Sequence, residues 1–186
     1  MKQQLTIFIC FLFIPLTLSA MPNDKDIYEK AVFGGGCFWG IEAFYREMPG
    51  VVATRVGYAG GDLANPSYKE VCADITGHAE VVEVTYDSVQ ISYEQLLEKF
   101  WNIHDPTTLN RQGPDVGSQY RSVIYTNSKA QHEAALASKE ALESNKRFAK
   151  PITTEIKKAP PFYEAEDYHQ QYLEKRGLAN CHIGLQ

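Results

Sequence analysis

Residues 30–48 leave the backbone few options. The apolar run Lys30-Ala31-Val32-Phe33 reads as a strand, and Ile41-Glu42-Ala43-Phe44-Tyr45-Arg46-Glu47-Met48 repeats its apolar positions at helical spacing. Between them stands Gly34-Gly35-Gly36-Cys37-Phe38-Trp39-Gly40, so the chain must turn from strand to helix at Cys37. Glycines permit a tight turn and keep the sulfur approachable. Free N–H groups and the positive end of the helix dipole favour a thiolate at a helix N-terminus, which predicts a lowered Cys37 pKa. Phe38 and Trp39 put two large aromatics beside the sulfur, as a pocket for an apolar group requires. A phosphate-binding glycine turn is the poorer reading, because no P-loop lysine follows and the G-x-G-x-x-G spacing is incomplete. A buried structural cysteine stays open at this point, with a nucleophile favoured.

The 186 residues suit one domain. Met1-Lys2, an apolar run from Leu5 to Leu18 and Ser19-Ala20 make a charged start, a core too short for a comfortable membrane span and a small-residue cleavage site. We therefore expect residues 1–20 to be an export signal cleaved after Ala20, with an uncleaved N-terminal anchor as the alternative, 21–29 a linker, and 30–186 one domain ending in a mobile tail, 177–186. After cleavage no stable membrane association is expected. A net charge of −5 without any basic stripe argues against nucleic-acid binding. Of four cysteines, Cys10 lies in the export signal. The other three, Cys37, Cys72 and Cys181, cannot all pair, so at least one thiol is free. Scattered histidines and the lack of C-x-x-C argue against a structural zinc.

Strand readings follow at 51–58, 79–86 and 120–125, with a short helical turn at 68–73. A helix at 93–104 opens on the capping box Ser92-x-x-Gln95, and a longer one at 128–147 opens on Ser128-x-x-Gln131. The order strand, helix, strand, strand, helix, strand predicts an α+β fold, a two-layer sandwich with a ferredoxin-like core. A C-terminal helix, an edge strand at 151–157 and an irregular tail would be added to it.

Alternation along 79–86 puts Glu80 on one face with Val82, Val84 and Tyr86, the more apolar face. Desolvation there would keep its carboxyl protonated near neutrality, as a general acid needs. A solvated strand end remains the alternative. Asp115 and Tyr120 lie in a glycine-punctuated polar loop, a usual place for binding residues, and Tyr68 follows a turn proline. Any one of the eleven tyrosines taken singly reads as core or surface. Cys72, among apolar neighbours, reads as an inert core thiol. Cys181, in the tail, is incidental, intermolecular, or able to swing to a nucleophile and form a disulfide.

Gly-Gly-Gly-Cys-Phe-Trp-Gly at 34–40 resembles the signature of A-type, S-epimer-specific peptide methionine sulfoxide reductases. Gly57-Tyr58-Ala59-Gly60-Gly61, Asn65-Pro66-Ser67-Tyr68, Thr76-Gly77-His78-Ala79-Glu80-Val81-Val82 and His104-Asp105-Pro106 are similar to the same family. So are Arg111-Gln112-Gly113, the stretches 115–121 and 152–156, Phe162-Tyr163 and 165–173. The resemblance implies reduction of methionine S-sulfoxide, free or in proteins, as a repair activity. It implies Cys37 as nucleophile, Glu80 as acid, and Tyr68 and Tyr120 as donors to the sulfoxide oxygen with Asp115 in their network. Phe38 and Trp39 would hold the methyl group. Cys181 would resolve a Cys37 sulfenic acid to a disulfide, which thioredoxin or a thioredoxin-like protein reduces. No metal or organic cofactor is implied, and the enzyme is expected to act as a monomer. The export signal points to the bacterial periplasm. Two rivals differ in their needs: a cysteine hydrolase requires His78 or His104 as base, and an aromatic peptide-binding module requires no Cys37.

Overall fold

The computed structural model describes residues 27–178. β1 (Tyr28–Gly35) runs into the glycine turn and α1 (Phe38–Arg46) starts directly after Cys37. β2 (Val51–Ala59), the short α2 (Tyr68–Cys72), β3 (Ala79–Asp87) and α3 (Tyr93–Ile103) follow. A small hairpin of β4 (Arg111–Gln112) and β5 (Asp115–Val116) and a 3₁₀ turn, Ser118–Tyr120, precede β6 (Ser122–Thr126). α4 (Lys129–Ser144), β7 (Glu155–Lys158), β8 (Phe162–Glu164) and α5 (Tyr172–Lys175) complete the order.

The fold is α+β. One six-stranded sheet has the order β7-β6-β1-β3-β2-β8. Its inner four strands are antiparallel, because the crossovers through α1 and α3 each leave a gap that one strand of the other fills. β7 joins β6 in parallel and β8 joins β2 antiparallel. The larger core lies on the helix side of the sheet. Phe33, Val82, Val84 and Ile124 pack there under Ile41 and Tyr45 of α1, Leu96 and Phe100 of α3 and Ala135 of α4. Fully burying each large side chain contributes about 1.5–3 kcal/mol. A smaller cluster of Val32, Ala79, Val81, Val123 and Tyr125 covers the opposite face. β3 is thus buried on both sides, and Glu80 falls on the helix side with Val82 and Val84.

Ser92 and Gln95 cap α3 reciprocally. At α4 the expected box is altered. Ser128 caps Gln131 N–H, but the Gln131 side chain accepts from Asn127 N–H and donates to the Lys30 carbonyl, tying the helix to β1.

Several boundaries differ from expectation. Tyr28 and Glu29, assigned to the linker, belong to β1, because they pair with Asp87 and Tyr86. The edge strand starts only at Glu155, and β8 leaves no mark in the sequence because three residues are too few to show alternation. The first two residues of the expected mobile tail form a helix cap: Gly177 has φ 63° and Leu178 N–H donates to Leu173 C=O at 3.0 Å. The expected export signal and Cys181 lie outside the described residues.

Candidate active site

Cys37 is the N-cap of α1, half-buried, with its carbonyl accepting from Gly40 N–H at 3.2 Å. Gly36 has φ +101°, and a Cβ there would stand 2.6 Å from Gln112 Cγ, so only glycine fits. Gly35 lies against His104, which a Cβ would meet at 3.0 Å.

Glu80, on the second residue of β3, is 2% exposed. Its Oε2 accepts from Phe38 N–H at 3.0 Å, the first amide of α1 after Cys37. Burial drives its pKa up to about 8, the Phe38 hydrogen bond opposes, and the Asp115 charge adds to the rise. The carboxyl is therefore mostly protonated at neutral pH.

The expected lowering of the Cys37 pKa is reversed. Burial first and the Glu80 charge second push the thiol up to about 12, and the Trp39 and Gly40 amides only partly oppose them. Desolvation outweighs the helix N-terminus. A protonated Glu80 withdraws its own share of that rise, so the two titrations are coupled. The resting pair is a thiol beside a carboxylic acid.

The structure brings the other sequence-singled residues to this pair. Tyr120, on the 3₁₀ turn, feels the charges of Glu80, Cys72, Asp115 and Cys37, and burial holds its phenol protonated. Tyr68, first residue of α2, is raised by burial, by its hydrogen bond with Cys72, and by Glu80 and Tyr120. Asp115, on β5, is raised by burial. Phe38 is buried against Tyr58, with ring centroids 5.9 Å apart. Trp39 is half-buried and stacks on Tyr172 at 3.7 Å.

Cys72 is not a core thiol. It is exposed at the end of α2 and shares the electrostatics of Tyr68 and Glu80. The turn is too short to bury both of its faces, and Val71 takes the inward position.

Two residues escaped the sequence reading. Glu166 accepts from Tyr58 Oη and from Tyr68 N–H, each at 2.9 Å. His169 accepts the Trp39 indole N–H on Nδ1 at 3.0 Å. Both fall in an acidic, aromatic stretch whose lack of periodicity hid their direction.

Neither histidine of the hydrolase alternative serves Cys37. His78 accepts from Gly61 N–H on Nδ1 and bonds Leu63 C=O through Nε2. His104 is held between Phe100 C=O and Ser122 Oγ, and burial lowers its pKa to about 4. Among the described residues no three His, Cys, Asp or Glu side chains are grouped to hold a metal ion.

Residues 29–186 match the family of peptide methionine sulfoxide reductases. The chain is 60% identical over 156 residues to the peptide methionine sulfoxide reductase MsrA of Methanothermobacter thermautotrophicus, covering 84% of this chain and 92% of that one. Among solved structures it is similar to Mxr1 of Saccharomyces cerevisiae in reduced form, with TM-score 0.78 and 37% identity over 85% of this chain and 91% of that chain. It is also similar to Mxr1 in complex with Trx2, with TM-score 0.57 and 27% identity over 82% and 89% of the two chains.

Proposed function

Since the chain belongs to the peptide methionine sulfoxide reductase family and is a peptide-methionine (S)-S-oxide reductase whose reaction depends on a thiol, we propose that Cys37 is that thiol and Glu80 the acid that serves it. One observation carries the assignment. Glu80 is buried, holds its proton near neutrality, and is tied to the amide beside Cys37.

Cys37 attacks the sulfoxide sulfur while Glu80 gives its proton to the oxygen. The thiol proton replaces the one Glu80 gave, methionine leaves, and the oxygen ends on Cys37 as a sulfenic acid. Thiol and sulfoxide thus become sulfenic acid and thioether with no proton gained or lost. Tyr68 and Tyr120 donate to the oxygen as its charge grows, worth at most roughly 3 kcal/mol each. Asp115 supports them, and Phe38 and Trp39 hold the methyl group.

Cys181 then condenses with the sulfenic acid, releasing water and leaving a Cys37–Cys181 disulfide. A thioredoxin-type dithiol reduces it; the complex of the yeast relative with Trx2 supports that partner class. The signal-like residues 1–20 support export, where a thioredoxin-like periplasmic protein would serve.

The test is a single turnover without reductant. Wild type should form about one methionine per protein and end as a Cys37–Cys181 disulfide. Cys181→Ser should form the same one equivalent and stop with Cys37 trapped as sulfenic acid, seen as a dimedone adduct. A Cys181→Ser enzyme cycling at the wild-type rate with a thioredoxin donor would defeat the resolving role, as would a wild-type disulfide mapped to Cys72.

A further inference from the structure

We propose that His169 is a positioning residue for this reaction: as a neutral imidazole it accepts the Trp39 indole N–H and so fixes the wall against which the substrate's methyl group lies. The proposal rests on the reading above where that reading gives Trp39 to the methyl group. The Trp39–His169 bond itself is geometry.

The hydrogen bond decides the tautomer. Trp39 Nε1 is only a donor, so at 3.0 Å His169 Nδ1 must be unprotonated and Nε2 carries the hydrogen. Nε2 is buried and has no hydrogen-bond partner, and the residue is 1% exposed. Glu166 Oε2 lies 3.9 Å from it, beyond hydrogen-bond reach but close enough for attraction. Glu166 cannot drift from that place, because Tyr58 Oη and Tyr68 N–H both donate to it. Its carboxyl lies below the ordinary value despite burial, chiefly through those bonds, so it stays ionised. An anion on the Nε2 side favours the tautomer that leaves Nδ1 free for the indole.

Packing fixes the ring as well as the proton. Its centroid lies 5.2 Å from that of Phe38, 4.3 Å from Tyr68 and 4.1 Å from Tyr168. One side chain therefore joins α1, α2 and the segment before α5 around Trp39. Tyr172 covers the indole by stacking, but stacking resists sliding in the ring plane weakly. The N–H bond supplies that restraint.

A protonated His169 could not do this, since two N–H donors would then face each other. The titratable groups packed on the ring are Glu166 and Tyr168 from its own segment and Tyr68 from α2; α1 lays Phe38 and Trp39 against it, and its Glu42 accepts from Gln171 N–H two residues further on. Both phenols are raised and stay neutral in acid. Burial lowers the imidazole below its ordinary value and Glu166 opposes. The bond is thus intact near neutrality and lost as pH falls through the lowered His169 value, below about 6.5.

The experiment uses the full chain in a Trp101→Phe background, which leaves Trp39 as its one tryptophan. Its emission, followed from pH 8 to 4, should change once, below pH 6.5, as the imidazolium forms beside the indole. His169→Asn, whose Oδ1 falls near the Nδ1 position, should show no such step and keep KM for N-acetyl methionine sulfoxide within twofold. His169→Leu should also lose the step, and its KM should rise about five- to tenfold, in the range one hydrogen bond gives, with kcat within twofold. The wild-type KM should rise on the same acid limb, which tests the proposal even if the leucine variant is unstable. An emission step that survives His169→Asn would overturn the proposal. So would a KM that Trp39→Leu raises and His169→Leu does not. A KM unmoved by Trp39→Leu would instead remove Trp39 from substrate binding, and this proposal with it, while leaving the emission step in place.

Discussion

Replacing Glu80 by glutamine tests the proton donor while keeping its shape. The amide oxygen can still accept from Phe38 N–H, the bond seen at 3.0 Å, and the side chain fills the same buried space. It cannot deliver a proton. General acid catalysis is typically worth 100- to 10,000-fold, or about 3–5 kcal/mol of barrier. We expect kcat for N-acetyl methionine formed from N-acetyl methionine sulfoxide, with dithiothreitol as reductant, to fall by that factor, with KM within threefold. Wild-type activity should decline above about pH 8, where Glu80 loses its proton, and that limb should vanish in the variant. Lower pH should partly rescue the variant, since hydronium can replace the missing acid. Stability should move the other way. Glu80 is raised from 4.5 to about 8, so its folding contribution is full below pH 4.5 and is lost progressively up to pH 8. The loss has an upper bound of about 5 kcal/mol at 1.36 kcal/mol per unit. The melting temperature of wild type should therefore drop between pH 5 and 8, and that of Glu80→Gln should drop less. A rate loss under threefold, less than 1 kcal/mol of barrier, would refute the acid assignment. A less stable variant at pH 8 would refute the burial argument.

Tyr120→Phe should slow the chemical step by at most a few hundredfold in single-turnover assays, the ceiling for one preorganised donor; an unchanged rate would take its hydroxyl out of the reaction. Gly36→Ala, forced to φ +101° against Gln112, should cost about 1–3 kcal/mol of stability, read as a lower denaturant midpoint; an unchanged midpoint would mean that the turn relaxes freely. Mass spectrometry of the protein recovered from its native host should find a mature N-terminus after Ala20, and intact Met1 would argue against cleavage.

Cys37 and Glu80 could be placed from the sequence because local rules govern both. A glycine at φ +101° followed by a helical repeat fixes where Cys37 stands, and alternation fixes the face of β3 that Glu80 takes. What escaped depends on distant segments. The sign of the Cys37 shift turned on how deeply other elements bury the turn, which a dipole argument for one helix cannot weigh. Cys72 looked apolar in a linear window, yet on a five-residue helix only Val71 is fully buried and Cys72 is left exposed. Glu166 and His169 act through partners about 100 residues or more away in sequence: Tyr58, Tyr68 and Trp39. No periodicity within 162–173 could reveal them.

The high thiol pKa fits the chemistry proposed for Cys37. The thiolate is the attacking form, so a thiol held this high must give up its proton as substrate binds, whereas a permanently ionised one would be open to any oxidant reaching the pocket. It would also sit unfavourably beside Glu80 whenever that group lost its proton. Storing one proton on sulfur and one on the carboxyl avoids both costs, and on the proposed reading a sulfoxide oxygen held by Tyr68 and Tyr120 would draw the second proton off. As Glu80 begins to ionise, the departing thiol proton has an acceptor already in place. The burial that makes Cys37 a poor thiolate at rest is the burial that makes Glu80 an acid. The two shifts therefore have one origin, in the closing of β3, α1 and the 111–120 loop around a single pair of side chains.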